Sequence, residues 1–83
     1  MKANLKRAIL VSLLSADGLP FPESALISAV KVSLRPIDPT DGDNFEAMKD
    51  VEASGYVAGA TDDIAGRSWT LTEKGVHKAR QLR

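Results

Sequence analysis

The spacing of the apolar residues changes at Gly55, and this change limits the folds that the chain can adopt. Before Gly55, apolar residues recur at intervals of three and four, the spacing of amphipathic helices. After it come two short alternating segments, typical of strands, and then a last helical segment. The pattern predicts helices over residues 3–16, 22–34 and 43–54, strands over 56–58 and 67–71, and a helix over 73–82. We therefore expect an α+β fold of three helices, a β-hairpin and a C-terminal helix.

Capping and breaking residues support these boundaries. Gly18 and Gly55 are placed to end the first and third helices, because glycine readily adopts the left-handed conformation that follows a helix. The Arg35-Pro36 pair is expected to end the second helix. Thr40 and Thr72 are expected to cap the third and fourth helices, because a threonine hydroxyl accepts a hydrogen bond from a free backbone N–H.

Apolar faces predict how the elements pack. The third helix is expected to bury Phe45, Met48 and Val51, and Trp69 is expected to face Tyr56 across the base of the hairpin. The first helix carries two apolar stripes, so its apolar surface is broader than one core face requires. We favour central burial of this helix over its use as a subunit interface. The two stripes consist of Leu5, Ile9, Leu13 and Ala16, and of Leu10 and Leu14.

The length of 83 residues predicts one domain over residues 1–83. The absence of cysteine excludes a disulfide framework and thiolate metal sites. Lys2, Lys6 and Arg7 precede an apolar run, as in a short signal peptide, but Ser12 interrupts the run and Leu14 is too bulky for the cleavage site. No stretch approaches the ~20 apolar residues of a membrane span, so a cytoplasmic protein is expected.

The order of elements and one motif resemble the winged helix-turn-helix domain. The motif is Gly55-Tyr56-Val57, a hairpin, and then Trp69-Thr70-Leu71-Thr72-Glu73-Lys74-Gly75. It is similar to the PadR and MarR regulator families, in which a recognition helix and a wing are followed by a segment of this kind. The resemblance implies that residues 43–54 enter the DNA major groove and that the wing, residues 57–68, follows the adjacent backbone. It implies a non-enzymatic, DNA-binding transcriptional regulator, expected to act as a homodimer.

The charge distribution favours an alternative function. The net charge of the whole chain is zero, but residues 36–66 hold eight carboxylate side chains against Lys49 alone. An acidic recognition helix and wing repel phosphates. The alternative is therefore a protein-interaction module, in which the acidic third helix and wing meet a basic protein partner.

Two sets of residues are candidates for DNA contact. Asn44, Lys49, Arg67 and Ser68 are the polar residues available on the third helix and wing, although Arg67 could instead pair with Asp62 or Asp63. Lys74 and Lys78 belong to a second possible surface, a basic face formed if the first and last helices lie side by side. The other members of that face are Lys2, Lys6, Arg7, Arg80 and Arg83.

No motif indicates catalysis, a cofactor or a metal. Residues 38–46 resemble a calcium loop, but the position of Gly42 would place Ile37 and Pro39 where ligands belong. His77 lies among cationic neighbours without an acid to orient it, so a solvated helix residue is expected. We therefore expect no catalytic, cofactor-binding or metal-binding residues.

Overall fold

The computed structural model describes residues 2–16, 19–37, 39–64 and 66–83. These residues form four helices and three strands, and the predicted stop at Gly18 lies outside them. None of the helices among these residues combines the length and the apolarity of a membrane-spanning segment. The elements in order are α1 (Lys2–Ser15), β1 (Phe21–Pro22), α2 (Glu23–Ser33), α3 (Asp41–Ala53), β2 (Val57–Asp62), β3 (Gly66–Leu71) and α4 (Glu73–Leu82).

Helix α1 lies at the centre of the molecule. It packs against α2, α3, α4 and β3, so apolar residues are needed around most of its circumference. The breadth of its apolar surface is therefore explained by burial within the chain, as favoured from the sequence. Its buried residues are Leu5, Ala8, Ile9, Leu10 and Leu13.

The sheet has three antiparallel strands in the order β1-β3-β2, where the sequence predicted a two-stranded hairpin. The additional strand, β1, pairs Phe21 with Trp69. Strand β2 continues to Asp62, beyond the end predicted at residue 58, because it pairs with β3 along its whole length. Trp69 lies opposite Gly59, so the predicted pairing of Trp69 with Tyr56 is wrong.

Trp69 joins the sheet to the helices. Its side chain is 2% exposed and covers Gly59, where an added Cβ would come within 2.8 Å of the indole Cζ3. The indole Nε1–H donates a hydrogen bond of 3.3 Å to Oε1 of Glu23, the first residue of α2. The wing is therefore anchored to the body of the domain at its central strand.

The end of α3 is tied to the start of α4. Gly55 follows α3 with a φ of 81°, as its predicted role requires. The Thr72 hydroxyl donates to the carbonyl oxygen of Gly55 at 2.6 Å and accepts from the backbone N–H of Gly75 at 3.1 Å, which confirms Thr72 as the cap of α4. Gly75 lies against the Tyr56 carbonyl so closely that a Cβ would collide with it. We call this set of contacts the α3–α4 junction; both ends of the wing emerge from it.

Candidate nucleic-acid interface

A capping box fixes the start of α3. The Thr40 hydroxyl accepts from the backbone N–H of Asp43, and a carboxylate oxygen of Asp43 accepts from the N–H of Thr40, both at 3.1 Å. The predicted cap is therefore confirmed, but the helix begins at Asp41 rather than Asp43. The pair satisfies two backbone donors that would otherwise lack partners, so the first turn is well defined.

One face of α3, which we call the inner stripe, is buried in the core. Its residues are spaced at i, i+3, i+4 and i+7, so they share a face. Asn44 belongs to this face and is 3% exposed, and its Nδ2 donates to the Thr40 carbonyl at 3.2 Å. The prediction that Asn44 contacts DNA is wrong, because its amide is buried and used within the chain. The inner stripe consists of Asn44, Ala47, Met48 and Val51.

The opposite face of α3, which we call the outer stripe, is exposed. It consists of Gly42, Phe45, Glu46 and Lys49, which have the same i, i+3, i+4, i+7 spacing. Phe45 is 59% exposed, so the prediction that it packs inward is wrong. Its ring lies 5.5 Å from the Lys49 ammonium, within the range of a cation–π contact. The outer stripe therefore presents a ring, a carboxylate and an ammonium side by side.

The wing carries two of the candidate contacts. Arg67 is exposed and its guanidinium lies 5.2 Å from the centroid of the Trp69 ring, a cation–π contact that orients the charge over the central strand. The ion pair predicted for Arg67 stays a prediction. Ser68 is half-buried in the central strand, opposite Ala60 on one side and Pro22 on the other. Near the wing tip, Ile64 is 97% exposed.

Helices α1 and α4 lie side by side, as the predicted basic face requires. The Arg7 Nε–H donates to the Leu82 carbonyl at 3.1 Å. Lys6, Arg7 and Lys78 line one surface cavity of about 410 Å³, whose wall includes Leu82. The structure therefore brings these three cations together, whereas the side chain of Lys2 lies outside the described residues.

Lys74 lies at the α3–α4 junction. Its Nζ donates to the Ser54 carbonyl at 2.8 Å and lies 5.2 Å from the Tyr56 ring. It therefore neutralises the carbonyl end of α3, where a cation is favourable. His77, nearly one turn further along α4, is exposed, and its Nε2 lies 3.3 Å from the amide nitrogen of Gln81.

The surface around the outer stripe is predominantly acidic. Asp41, Glu46 and Glu52 of α3 are exposed, and so are Asp62 and Asp63 of the wing. The cations offered by α3 and the wing strands are Lys49 and Arg67. The electrostatic conflict expected from the sequence is therefore present on the folded surface.

The arrangement is similar to one solved structure, the crystal structure of SSV1 F-93. The likeness has a TM-score of 0.71 at 22% sequence identity, and it covers 93% of this chain and 80% of that chain. At this identity the likeness shows the fold, which is an α+β winged helix. No protein-family model matches the chain. No curated protein matches it significantly. Membership of the PadR or MarR families stays a prediction.

Proposed function

We propose that this protein is a non-enzymatic, DNA-binding transcriptional regulator that inserts α3 into the major groove. The observation that carries the proposal is the exposure of the outer stripe. The inner stripe packs α3 against the core, so the fold does not use the opposite face. In a winged helix, that face of the recognition helix contacts the bases. The wing, β2–β3, then follows the adjacent DNA backbone.

Two cations are assigned to phosphate or base contacts in this mode. Lys49 lies on the outer stripe, and Arg67 lies near the wing tip with its guanidinium oriented by Trp69. Lys74 is assigned a lesser role at the end of α3, since its ammonium already serves the Ser54 carbonyl. Ser68 is half-buried, and we assign its hydroxyl to a contact between the wing and the DNA backbone.

The experiment is fluorescence anisotropy of a labelled random-sequence duplex at ~50 and ~200 mM salt. Binding should weaken steeply with salt, and Lys49→Ala and Arg67→Ala should each lower the salt slope by about one. Arg80→Ala removes the same charge from an exposed position on α4 and is the matched control, with no expected effect. Flat titrations at both salts would contradict the proposal.

The same experiment distinguishes binding through the basic face. If the backbone of DNA lies across α1 and α4, the double reversal Lys74→Glu and Lys78→Glu abolishes binding, and Arg80→Ala weakens it. If α3 and the wing bind as proposed, Lys49→Ala and Arg67→Ala dominate. Lys78 lines the cavity with Lys6 and Arg7, so its reversal alone already changes the charge of that face.

A second candidate function is the binding of a basic protein, and the acidity of α3 and the wing favours it. Carboxylates at Glu46 and Glu52 would then pair with cations of the partner. Partners captured by the tagged protein would be identified by mass spectrometry and purified. Glu46→Gln with Glu52→Gln should weaken binding to the purified partner, whereas Glu73→Gln on α4 should not.

We also propose a homodimer, because two recognition helices spaced by about one DNA turn bind two half-sites. The apolar surface of α1 is used within the chain, so it supplies no argument for the dimer. Sedimentation equilibrium at micromolar concentration measures the mass directly, and a mass of 8.9 kDa, that of one chain, would contradict a dimer.

A further inference from the structure

We infer that Phe45 contacts the methyl group of a thymine in the major groove and thereby sets part of the DNA sequence preference. The inference rests on the proposed function and names the base feature that α3 recognises. It starts from the exposure of a large apolar side chain, 59%, in the middle of an otherwise charged face.

The position of Phe45 is fixed by the fold. It is the fifth residue of α3, and residues in the first half of a recognition helix are those that meet base edges. The inner stripe is buried at Asn44 and at Met48, on either side of Phe45 in sequence, so α3 cannot rotate to bury the ring. The capping box at Thr40 and Asp43 holds the turn that carries it.

The chemistry of the major groove matches this ring. Thymine presents a C5-methyl group, the apolar feature of the groove, and phenylalanine is among the side chains that pack against it. The neighbouring carboxylate of Glu46 repels the N7 and O6 acceptors of guanine. The same carboxylate can accept from the N4 donor of a cytosine at a neighbouring base pair, whereas the Phe45 ring is the group suited to the thymine methyl.

Lys49 supports the same assignment. Its ammonium lies 5.5 Å from the Phe45 ring and extends along the outer stripe. It is placed to contact a phosphate or a guanine beside the pyrimidine. The ring lies beside this cation on the outer stripe, and an apolar group on the DNA is the complement of the ring itself.

The test uses removal of the thymine methyl. Binding sites are selected by the full-length protein from a random duplex pool at ~50 mM salt, and each thymine of the selected site is then replaced by deoxyuridine. At one position per half-site, deoxyuridine should weaken binding about fourfold, the value for one buried methyl group. Phe45→Ala should remove this sensitivity, and Phe45→Leu should retain most of it.

Two controls keep the result interpretable. Val32→Ala shortens an apolar side chain that is 60% exposed on α2, and it should leave the deoxyuridine effect unchanged. Thermal unfolding of Phe45→Ala should match that of the parent, because the ring is exposed.

The outcomes separate the two proposals. Selected duplexes that bind equally well with thymine and deoxyuridine, or sites without thymine, would overturn the inference and leave the proposed function standing. A pool that yields no binding at ~50 mM salt would overturn both. In that case, if Phe45→Ala abolished binding to a purified basic protein partner, the ring would be assigned to a protein interface.

Discussion

Gly75 lies where α4 begins against the backbone that leaves α3. Its missing side chain allows the carbonyl of Tyr56 to approach, and that carbonyl also accepts the N–H of Thr72 at 3.0 Å. A side chain at Gly75 would have to displace the backbone of Tyr56 rather than a flexible side chain, so α4 would move away from the end of α3. The residue that sets the distance between α3 and α4 is therefore a glycine on α4.

We expect Gly75→Ala to lower the free energy of unfolding by about 2 kcal/mol or more, because overpacking against backbone cannot be relieved by rotamer changes. Gly42→Ala is the matched control: it lies in the first turn of α3, and its Cβ would meet only the Thr40 hydroxyl at 3.7 Å. This control should be neutral or stabilising by about 0.5 kcal/mol. Urea unfolding measures both, and equal values would contradict the close approach at Gly75.

The hydrogen bond from Trp69 to Glu23 gives a second expectation. Glu23→Ala leaves the indole N–H, on a side chain that is 2% exposed, without its acceptor. We expect a loss of about 1–3 kcal/mol, the value for a buried donor left unsatisfied. Glu23→Gln keeps an oxygen at the same place and should lose clearly less. The comparison is made by urea unfolding followed through Trp69 fluorescence; identical losses would show that the bond contributes nothing.

The inner and outer stripes show what the sequence could and could not predict for single residues. Phe45 and Met48 are three apart, so apolarity alone places both on one buried face. The buried face instead runs through Asn44, whose amide finds a partner in the Thr40 carbonyl. A polar residue with a local partner is invisible to hydrophobic periodicity. The helical spacing of the buried face is visible in Ala47, Met48 and Val51. A face drawn through these three residues alone places Phe45 on the exposed side of α3.

At the scale of elements, the two threonine caps differ in the number of helices that their hydrogen bonds connect. Thr40 closes a capping box within α3. Thr72 caps α4 and also donates to the carbonyl of Gly55, so it joins two helices. The first contact is local, whereas the second spans the wing.

We therefore expect Thr72→Ala to destabilise more than Thr40→Ala. The Thr40 change should lower the unfolding free energy by about 1 kcal/mol, as for an ordinary cap. The Thr72 change should exceed it by about 1 kcal/mol, the net value of one more hydrogen bond. Thr72→Ser keeps the hydroxyl and should recover most of the loss. Chemical unfolding of all three variants checks the order, and a smaller effect at Thr72 would be evidence against the link.

The helices were predictable because their signals are local. The roles of Thr40 and Thr72 as helix caps and of Gly55 as a helix stop each depend on residues close in sequence, and the structure confirms all three. The sheet was less predictable because its strands depend on distant partners. Strand β1 has only two residues, and its pairing with β3 depends on residues far along the chain. Strand β2 includes Gly59 and Asp62, which have low strand propensity, and its pairing overrides that preference.

At the scale of the whole molecule, acidic residues concentrate on α3 and the wing, whereas cations concentrate on α1 and α4. A DNA-binding protein with this charge distribution is attracted only weakly to phosphates, because its own carboxylates repel them. Its affinity for a DNA site must then come largely from base contacts. Under the proposed function, binding to a random duplex should be measurable and should fall with salt, but it should be weaker than binding to a selected site.

Neutralising one carboxylate of the outer stripe tests this view. Glu46→Gln should raise the affinity for a random duplex about fivefold at ~50 mM salt, because a unit charge about 4 Å from a phosphate in water contributes about 1 kcal/mol. Glu73→Gln removes the same charge on α4, beside His77 and Arg80, and should change the affinity little. Anisotropy titrations measure both. An unchanged affinity for Glu46→Gln would show that DNA does not approach this face.

The α3–α4 junction has a consequence for how this fold can diversify. Both ends of the wing are held by contacts outside it, from Thr72 to Gly55 and from Lys74 to Ser54. Extra residues inserted near Asp63 and Ile64 would therefore leave the helices in place, and each doubling of the loop would add only about 0.6 kcal/mol of closure entropy. Insertions and deletions can accumulate at this tip, so a lineage carrying this gene can lengthen or replace the wing and acquire new binding sites while it inherits the same core.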